Sequence, residues 1–232
     1  MKHFISTLLT ITFLVITIGF MPGLFAQTTN NPSLFKEYIY DTPSSVFLEK
    51  DGYYDCSDDT GDAARCMDNV DFVGHKFTIH LMFTDQHLTS VTLITDDFNQ
   101  DVYLRIAGAL GKTFTPCMLQ GATERLDLIE LARTSQSKSD FQSKMSSFES
   151  VNLSNGELTY IFVELPGSDI RGKKNAIEAI MSAPANTRTA ELSVEEDTED
   201  NSKATLSINF TLPKLSLEKM NKKMSDAPVE KF

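Results

Sequence analysis

The clearest pattern along the chain is an alternation. From Lys76 to Thr84, the apolar residues Phe77, Ile79, Leu81 and Phe83 take every second position between Thr78, His80, Met82 and Thr84. A two-residue repeat predicts a β-strand with one buried face. Asp85, Gln86 and His87 supply a polar turn, and Leu88 to Thr95, with Val91 and Leu93 on one side, predicts the returning strand of a hairpin. The spacing then changes. Val102, Ile106, Ala109 and Leu110 recur at helical intervals, with Asn99 placed to cap the start and Gly111 to stop the end. Residues 126–132 alternate again, with poorly segregated faces, and predict a strand. Phe141, Met145 and Phe148 predict a helix opening at Ser139 and Asp140, and Asn155-Gly156 a turn. Leu158 to Leu165, ended by Pro166, reads as a further strand.

The flanks are less regular. Thr42 reads as an N-cap with Pro43 at the first position of a short helix that Gly52 ends. Residues 51–71 read as an acidic, turn-rich loop. Downstream, Lys173 to Ser182 predicts a short helix, and Thr189–Val194 with Ala204–Leu212 a long hairpin. The acidic run Glu195 to Asp200 forms its tip, and Leu215 to Met224 is a last helix. Helices and strands mixed without regular βα repetition predict an α+β fold. The expected architecture is an antiparallel or mixed sheet with helices packed on one face, plus a C-terminal β-hairpin extension. Residues 27–165 then form the α+β domain, and residues 166–232 a helix-and-hairpin extension packed on it.

The first 26 residues stand apart. Lys2 and His3 precede an apolar run from Phe4 to Phe20, Pro22 and Gly23 break it, and Ala26 offers a small residue before Gln27. A basic start, an apolar centre and a small residue at the cut describe a secretory signal peptide over residues 1–26. The expectation is an exported chain, periplasmic or secreted, with no membrane attachment once the leader is removed. Charge agrees with a limited set of partners. The 232 residues carry 21 Lys+Arg against 32 Asp+Glu, a net charge of −11, which repels polyphosphate and disfavours nucleic acid.

Export changes how the three cysteines are read. Cys56 and Cys66 flank an Asp/Gly-rich stretch, and in an oxidising compartment such a pair predicts a disulfide. The ring it closes is worth about 2.8 kcal/mol in the chain-entropy account. Cys117 is left over and reads as a buried, inert thiol. Zinc is disfavoured by spacing, since neither C-x-x-C nor H-x-x-x-H occurs. Asp55, Asp58, Asp59 and Asp62 offer carboxylates on one loop, a candidate Ca²⁺ seat. The competing account is a solvated acidic loop, because the EF-hand template fails at Thr60 and Cys66. His75, His80 and His87 are spread along the hairpin and are not expected to converge. Gly167-Ser168-Asp169 lacks the glycine arrangement of a nucleophile elbow, and no zinc-protease or P-loop motif occurs. Arg171, Lys173 and Lys174 form the densest basic spot, read as a solvated helix start.

Two segments carry a resemblance. Thr42 to Val46 with Gly52 behind, and Phe83 to Val91 with its polar turn, resemble the helix and hairpin of the SmpA/OmlA-type outer-membrane assembly proteins. The same order is similar to β-lactamase-inhibitor-protein-like modules, over about residues 40–98. The lipobox cysteine is missing and Asp41 stands where a Gly is usual. The resemblance implies a protein-binding or envelope-assembly module without catalytic residues. The expected function is therefore an exported, non-enzymatic module binding another envelope or secreted protein through its sheet or hairpin edge. The alternatives are a secreted hydrolase with a dispersed active site and a Ca²⁺-stabilised structural domain. Asn152-Leu153-Ser154 and Asn209-Phe210-Thr211 are N-glycosylation sequons.

Overall fold

Why alternation matters is visible in the register of the strands. In a computed structural model that describes residues 31–96, 99–196 and 204–226, the chain opens with a small hairpin of β1 (Ser33–Phe35) and β2 (Tyr38–Ile39). Two short 3₁₀ turns follow, Ser44–Val46 and Glu49–Asp51, where a helix from Thr42 was expected. Pro43 at φ −60°, ψ 141° is extended and has no side-chain acceptor to cap a helix. Gly52 stops the second turn at φ 94°, a left-handed conformation that suits glycine. Then come β3 (Tyr54–Asp55), the single-turn α1 (Ser57–Thr60), β4 (Ala64–Phe72), β5 (His75–Thr84), β6 (His87–Thr95) and α2 (Gln100–Leu110). The chain continues through β7 (Thr115–Gln120), β8 (Arg125–Asp127), α3 (Leu128–Thr134), α4 (Lys138–Ser154) and β9 (Glu157–Val163). It ends with α5 (Gly167–Ile170), α6 (Ala176–Ser182), β10 (Thr189–Glu196), β11 (Ala204–Thr211) and α7 (Pro213–Asp226).

The fold is α+β. Nine strands form one antiparallel sheet in the order β3-β4-β5-β6-β11-β10-β9-β7-β8. The C-terminal hairpin is its centre. β11 pairs with β6 (Phe210 opposite Val91) and β10 with β9 (Leu192 opposite Tyr160), so β10 and β11 join two halves that are distant in sequence. Neither hairpin strand has a free side, which overturns the expectation that a partner pairs with this hairpin's edge. The reason is in the residues: both strands alternate cleanly, and strands that fit a half-buried surface with both sides hydrogen-bonded belong in the middle of a sheet.

One sheet face is apolar throughout. Phe77, Ile79, Leu81, Leu88, Val91, Leu93, Leu192, Leu206 and Ile208 are buried there, under Val102, Ile106 and Leu110 of α2 and under Leu34, Phe35 and Tyr38. The bidentate pair of Arg188 with Glu164, and the Arg188 Nη1 bond to Leu34 O (3.2 Å), tie the first hairpin to the sheet. On the opposite face the middle strands present Thr92, Asn209, Ser193 and Thr159, linked to one another across the strands (Thr92 to Asn209 3.2 Å, Thr159 to Ser193 2.8 Å). Beyond β9 this second face is covered too. Ile161, Val163 and Met118 pack against Ile129, Ile170, Ala176 and Ala179.

Two expected elements differ. β4 lies where a loop was expected, because its alternation is broken by a bulge between Met67 and Val70, with Asn69 at φ 60°. Residues 126–132 form the end of β8 and then α3 in place of one strand. The Asp127 Oδ1 accepts the N–H groups of Ile129 (3.0 Å) and Glu130 (2.9 Å), which starts a helix inside the apparent alternation. The signal-peptide segment, residues 197–203 of the acidic tip and residues 227–232 lie outside the described residues. Among the described residues no helix is long and apolar enough to cross a membrane.

Candidate functional site

A groove of about 590 Å³ opens at the β7–β8 end of the sheet. Its floor is apolar: Leu128, Ile129 and Ala132 of α3, Phe141 and Met145 of α4, Pro116 of β7 and Ile170 of α5. Its rim is cationic, with Arg133, Arg171 and Lys173, and no Asp, Glu, His or Cys lines it. In a chain with a net charge of −11, three cations around an apolar floor without one carboxylate are a local inversion of the whole molecule. The volume falls within the usual range for ligand sites.

The frame of this groove depends on one carboxylate. Besides capping α3, Asp127 accepts the Ala176 N–H through Oδ2 (2.7 Å), so a single side chain holds the N-termini of α3 and α6. Each helix start carries unpaired N–H donors and partial positive charge, and an anion there satisfies both. Asn175 adds the second cap on α6, accepting the Glu178 N–H (2.8 Å). α4 is capped by Ser137, which accepts the Asp140 N–H (3.1 Å). Arg133 Nη1 donates to the Lys174 carbonyl (3.0 Å), which draws the loop after α5 towards α3. Gly172 at φ 100° turns that loop between Arg171 and Lys173. The side chains of Arg171 and Lys173 have no ion pair or hydrogen-bond partner among the described residues.

β7 is also open on this side. β8 pairs only with Met118, Leu119 and Gln120, so among the described residues no strand pairs with Thr115 to Cys117 on the side away from β9. Pro116, which lacks an N–H, and the bulge between Pro116 and Met118 blunt that edge against strand addition. The groove therefore offers side-chain insertion more than backbone pairing.

A second cavity of about 380 Å³ beside α7 contrasts with it. Its cations are already neutralised: Lys219 Nζ is 3.0 Å from Asp41 Oδ1, and Lys223 Nζ is 2.8 Å from Asp85 Oδ1.

The residues singled out in the sequence distribute as follows. Cys56 and Cys66 form a disulfide, with Cα atoms 5.9 Å apart. The four aspartates do not gather. Asp55 is committed: its Oδ1 accepts the Ser57 N–H (3.0 Å) and hydroxyl (2.6 Å), and Oδ2 meets Arg65 at 3.1 Å. The Ser57 bonds, and the Arg65 charge after them, hold its carboxyl below the usual range. Asp58 and Asp59 lie on α1, and Asp62 follows it. Among the described residues, the one set of three metal-ligating groups within 4.8 Å is Cys56, Cys66 and His80, so the aspartates bring no three oxygens together.

The histidines stay apart. His75 Nε2 is 3.7 Å from Asp101, which Arg105 already engages at 2.6 Å, and His87 Nδ1 lies 2.8 Å from the Asp85 carbonyl. Among the described residues, the Ser168 hydroxyl bonds only to its exposed neighbour Asp169 (3.0 Å). Cys117 is free and buried, its thiol pushed up to about 12 by that burial, and Sγ donates to the Ile161 carbonyl (3.3 Å). The sequon residue Asn152 is buried, with Nδ2 donating to Phe148 O (2.9 Å) and Glu124 Oε1 (3.1 Å), so a glycan there is incompatible with this packing.

Sequence reading found Arg171 and Lys173 as a basic spot but missed the groove. Arg133 lies well upstream, and only the sheet order brings α3 beside the loop after α5. The chain matches no family model, no curated protein and no solved structure.

Proposed function

We propose that this chain is an exported, non-catalytic binding module, acting in the periplasm or outside the cell, that docks another envelope or secreted protein at the basic-rimmed groove. The ligand is an acidic–apolar segment of the partner: an apolar side chain enters between α3 and α4, and flanking carboxylates meet Arg171, Lys173 and Arg133. The observation that carries the reading is the charge inversion, an apolar floor ringed by cations with no lining carboxylate in a strongly acidic chain. Opposite charge steers encounter and selects among partners, and a desolvated apolar anchor supplies most of the affinity. A hydrolase would need a nucleophile and base within reach of a bound substrate. The groove lining has no His, Cys or carboxylate to act as the base, and the histidines lie at other places on the sheet. The hairpin part of the resemblance to envelope-assembly modules, Phe83 to Val91, supports the same class, whereas its helix from Thr42 does not form.

The test uses a fluorescein-labelled synthetic peptide carrying Leu and Phe flanked by glutamates, with a lysine-flanked counterpart as control. Anisotropy titration shows saturable binding of the acidic peptide, weakened at least about tenfold in the Arg171→Glu/Lys173→Glu variant and by added salt. Equal binding of the lysine-flanked peptide, or no effect of charge reversal, overturns the proposal.

A further inference from the structure

The opposite end of the sheet carries a second cluster, made by strand register. Cys66 on β4 lies directly across from His80 on β5, and the neighbouring pair, Ala64 and Met82, sits on the same face. The chain before α1 places Cys56 over them. The two Sγ atoms and a ring nitrogen of His80 fall within 4.8 Å of one another. Cys56 and Cys66 are buried, His80 is half-buried, and the side chain of Met82 packs against the group. Bound Zn²⁺ takes thiolates at about 2.3 Å and imidazole at about 2.0 Å, which in a tetrahedron sets donor atoms roughly 3.3–3.8 Å apart.

We propose that Cys56, Cys66 and His80 form a redox-gated site for a thiophilic divalent cation of the zinc class. With the disulfide closed, both sulfurs are spent on each other and the site does not exist. A dithiol reductant opens it: the protein disulfide accepts two electrons and two protons and becomes two thiols, while the reductant becomes a disulfide. The cation then displaces the two thiol protons, and two thiolates, one neutral imidazole and M²⁺ give a set with no net charge, suited to a buried place. Burial favours the neutral imidazole needed as a ligand, against the opposing pull of Asp59 and Asp68. Asp68 is itself held by the hydroxyls of Tyr54 (3.0 Å) and Thr78 (2.9 Å), which stiffens the polar surround. The fourth position is left to water.

Cobalt(II) is the probe, because thiolate ligation produces near-ultraviolet charge-transfer absorption. The full chain, in a Cys117→Ala background to remove the third thiol, is compared oxidised and after reduction by a phosphine. The phosphine takes up oxygen from water as the disulfide becomes two thiols. The reduced chain takes up one Co²⁺ with charge-transfer bands, Zn²⁺ displaces it, and the oxidised chain binds at least about a hundredfold more weakly. His80→Gln lowers the affinity of the reduced chain at least about tenfold and changes the visible d–d bands. Uptake without thiolate bands, equal uptake by the oxidised chain, or affinity unchanged by His80→Gln overturns the site. So does loss of the far-ultraviolet dichroism on reduction, since the site requires β4 and β5 to stay paired.

Discussion

The two ends of the nine-stranded sheet solve the same problem differently. At the β3–β4 end, a two-residue edge strand and a one-turn helix bury little on their own, and a covalent link between Cys56 and Cys66 pins them to the sheet. At the β7–β8 end no covalent link exists. Helices α3, α4 and α6 cover both faces, α3 and α6 sharing Asp127 as a cap and α4 capped by Ser137, and they leave a groove where they fail to meet. The pinned edge holds a small apolar cluster of Cys56, Ala64, Cys66 and Met82 by a covalent bond, whereas the helix-framed edge keeps an apolar groove with charge around it. On the proposed function, recognition belongs to the second end, and the first is the clamp that the proposed redox chemistry would release.

Breaking the helix-framed end has the largest expected effect. A Cβ at Gly121, in the turn after β7, would collide with the carboxamide of Asn152 on α4. Gly121→Ala is expected to cost about 3 kcal/mol by chemical denaturation, and less than the additive sum when combined with Asn152→Ala. At the pinned end, Cys56→Ser/Cys66→Ser removes the ring closure and is expected to cost about 2.8 kcal/mol. Asp127→Ala leaves the N-termini of α3 and α6 without their shared acceptor, an expected loss of about 2 kcal/mol, part of it recovered by Asp127→Asn. Peptide binding is expected to weaken with it, because the groove walls move.

The smallest effect is a pH slope. Burial lowers the His80 pKa from 6.5, so below that value the unfolded chain binds a proton the folded chain resists. Stability therefore falls as pH drops from 6.5 towards the folded-state pKa, and it rises with pH through the same window. His80→Gln flattens that slope, read as denaturation midpoints at several pH values. Cys117 gives a complementary readout: with its thiol at about 12, alkylation at pH 8 is expected only after unfolding.

What could be read from the sequence follows how locally each feature is encoded. β5, β10 and β11 are legible because their apolar positions alternate, and β6 is legible from Val91 onward, past the irregularity between Leu88 and Ser90; Asn99 caps α2 as its position suggests, accepting the Val102 N–H at 3.1 Å. β4 is hidden by the Asn69 bulge, and α3 by an apolar run that fits either period until Asp127 is recognised as a cap. The central place of the last hairpin, the meeting of Arg133 with Arg171, and the pairing of Cys66 with His80 are long-range facts. Each depends on which strands neighbour one another, and no window of sequence contains that.

The central claim concerns one groove, and methyl NMR tests it most directly. In the chain labelled at Ile and Met methyls, titration with the glutamate-flanked peptide is expected to shift Ile129, Ile170 and Met145, while Met82 of β5 and Ile94 of β6, on the other half of the sheet, stay in place. Shifts centred away from α3, α4 and the loop after α5, or none at saturating peptide, contradict the account.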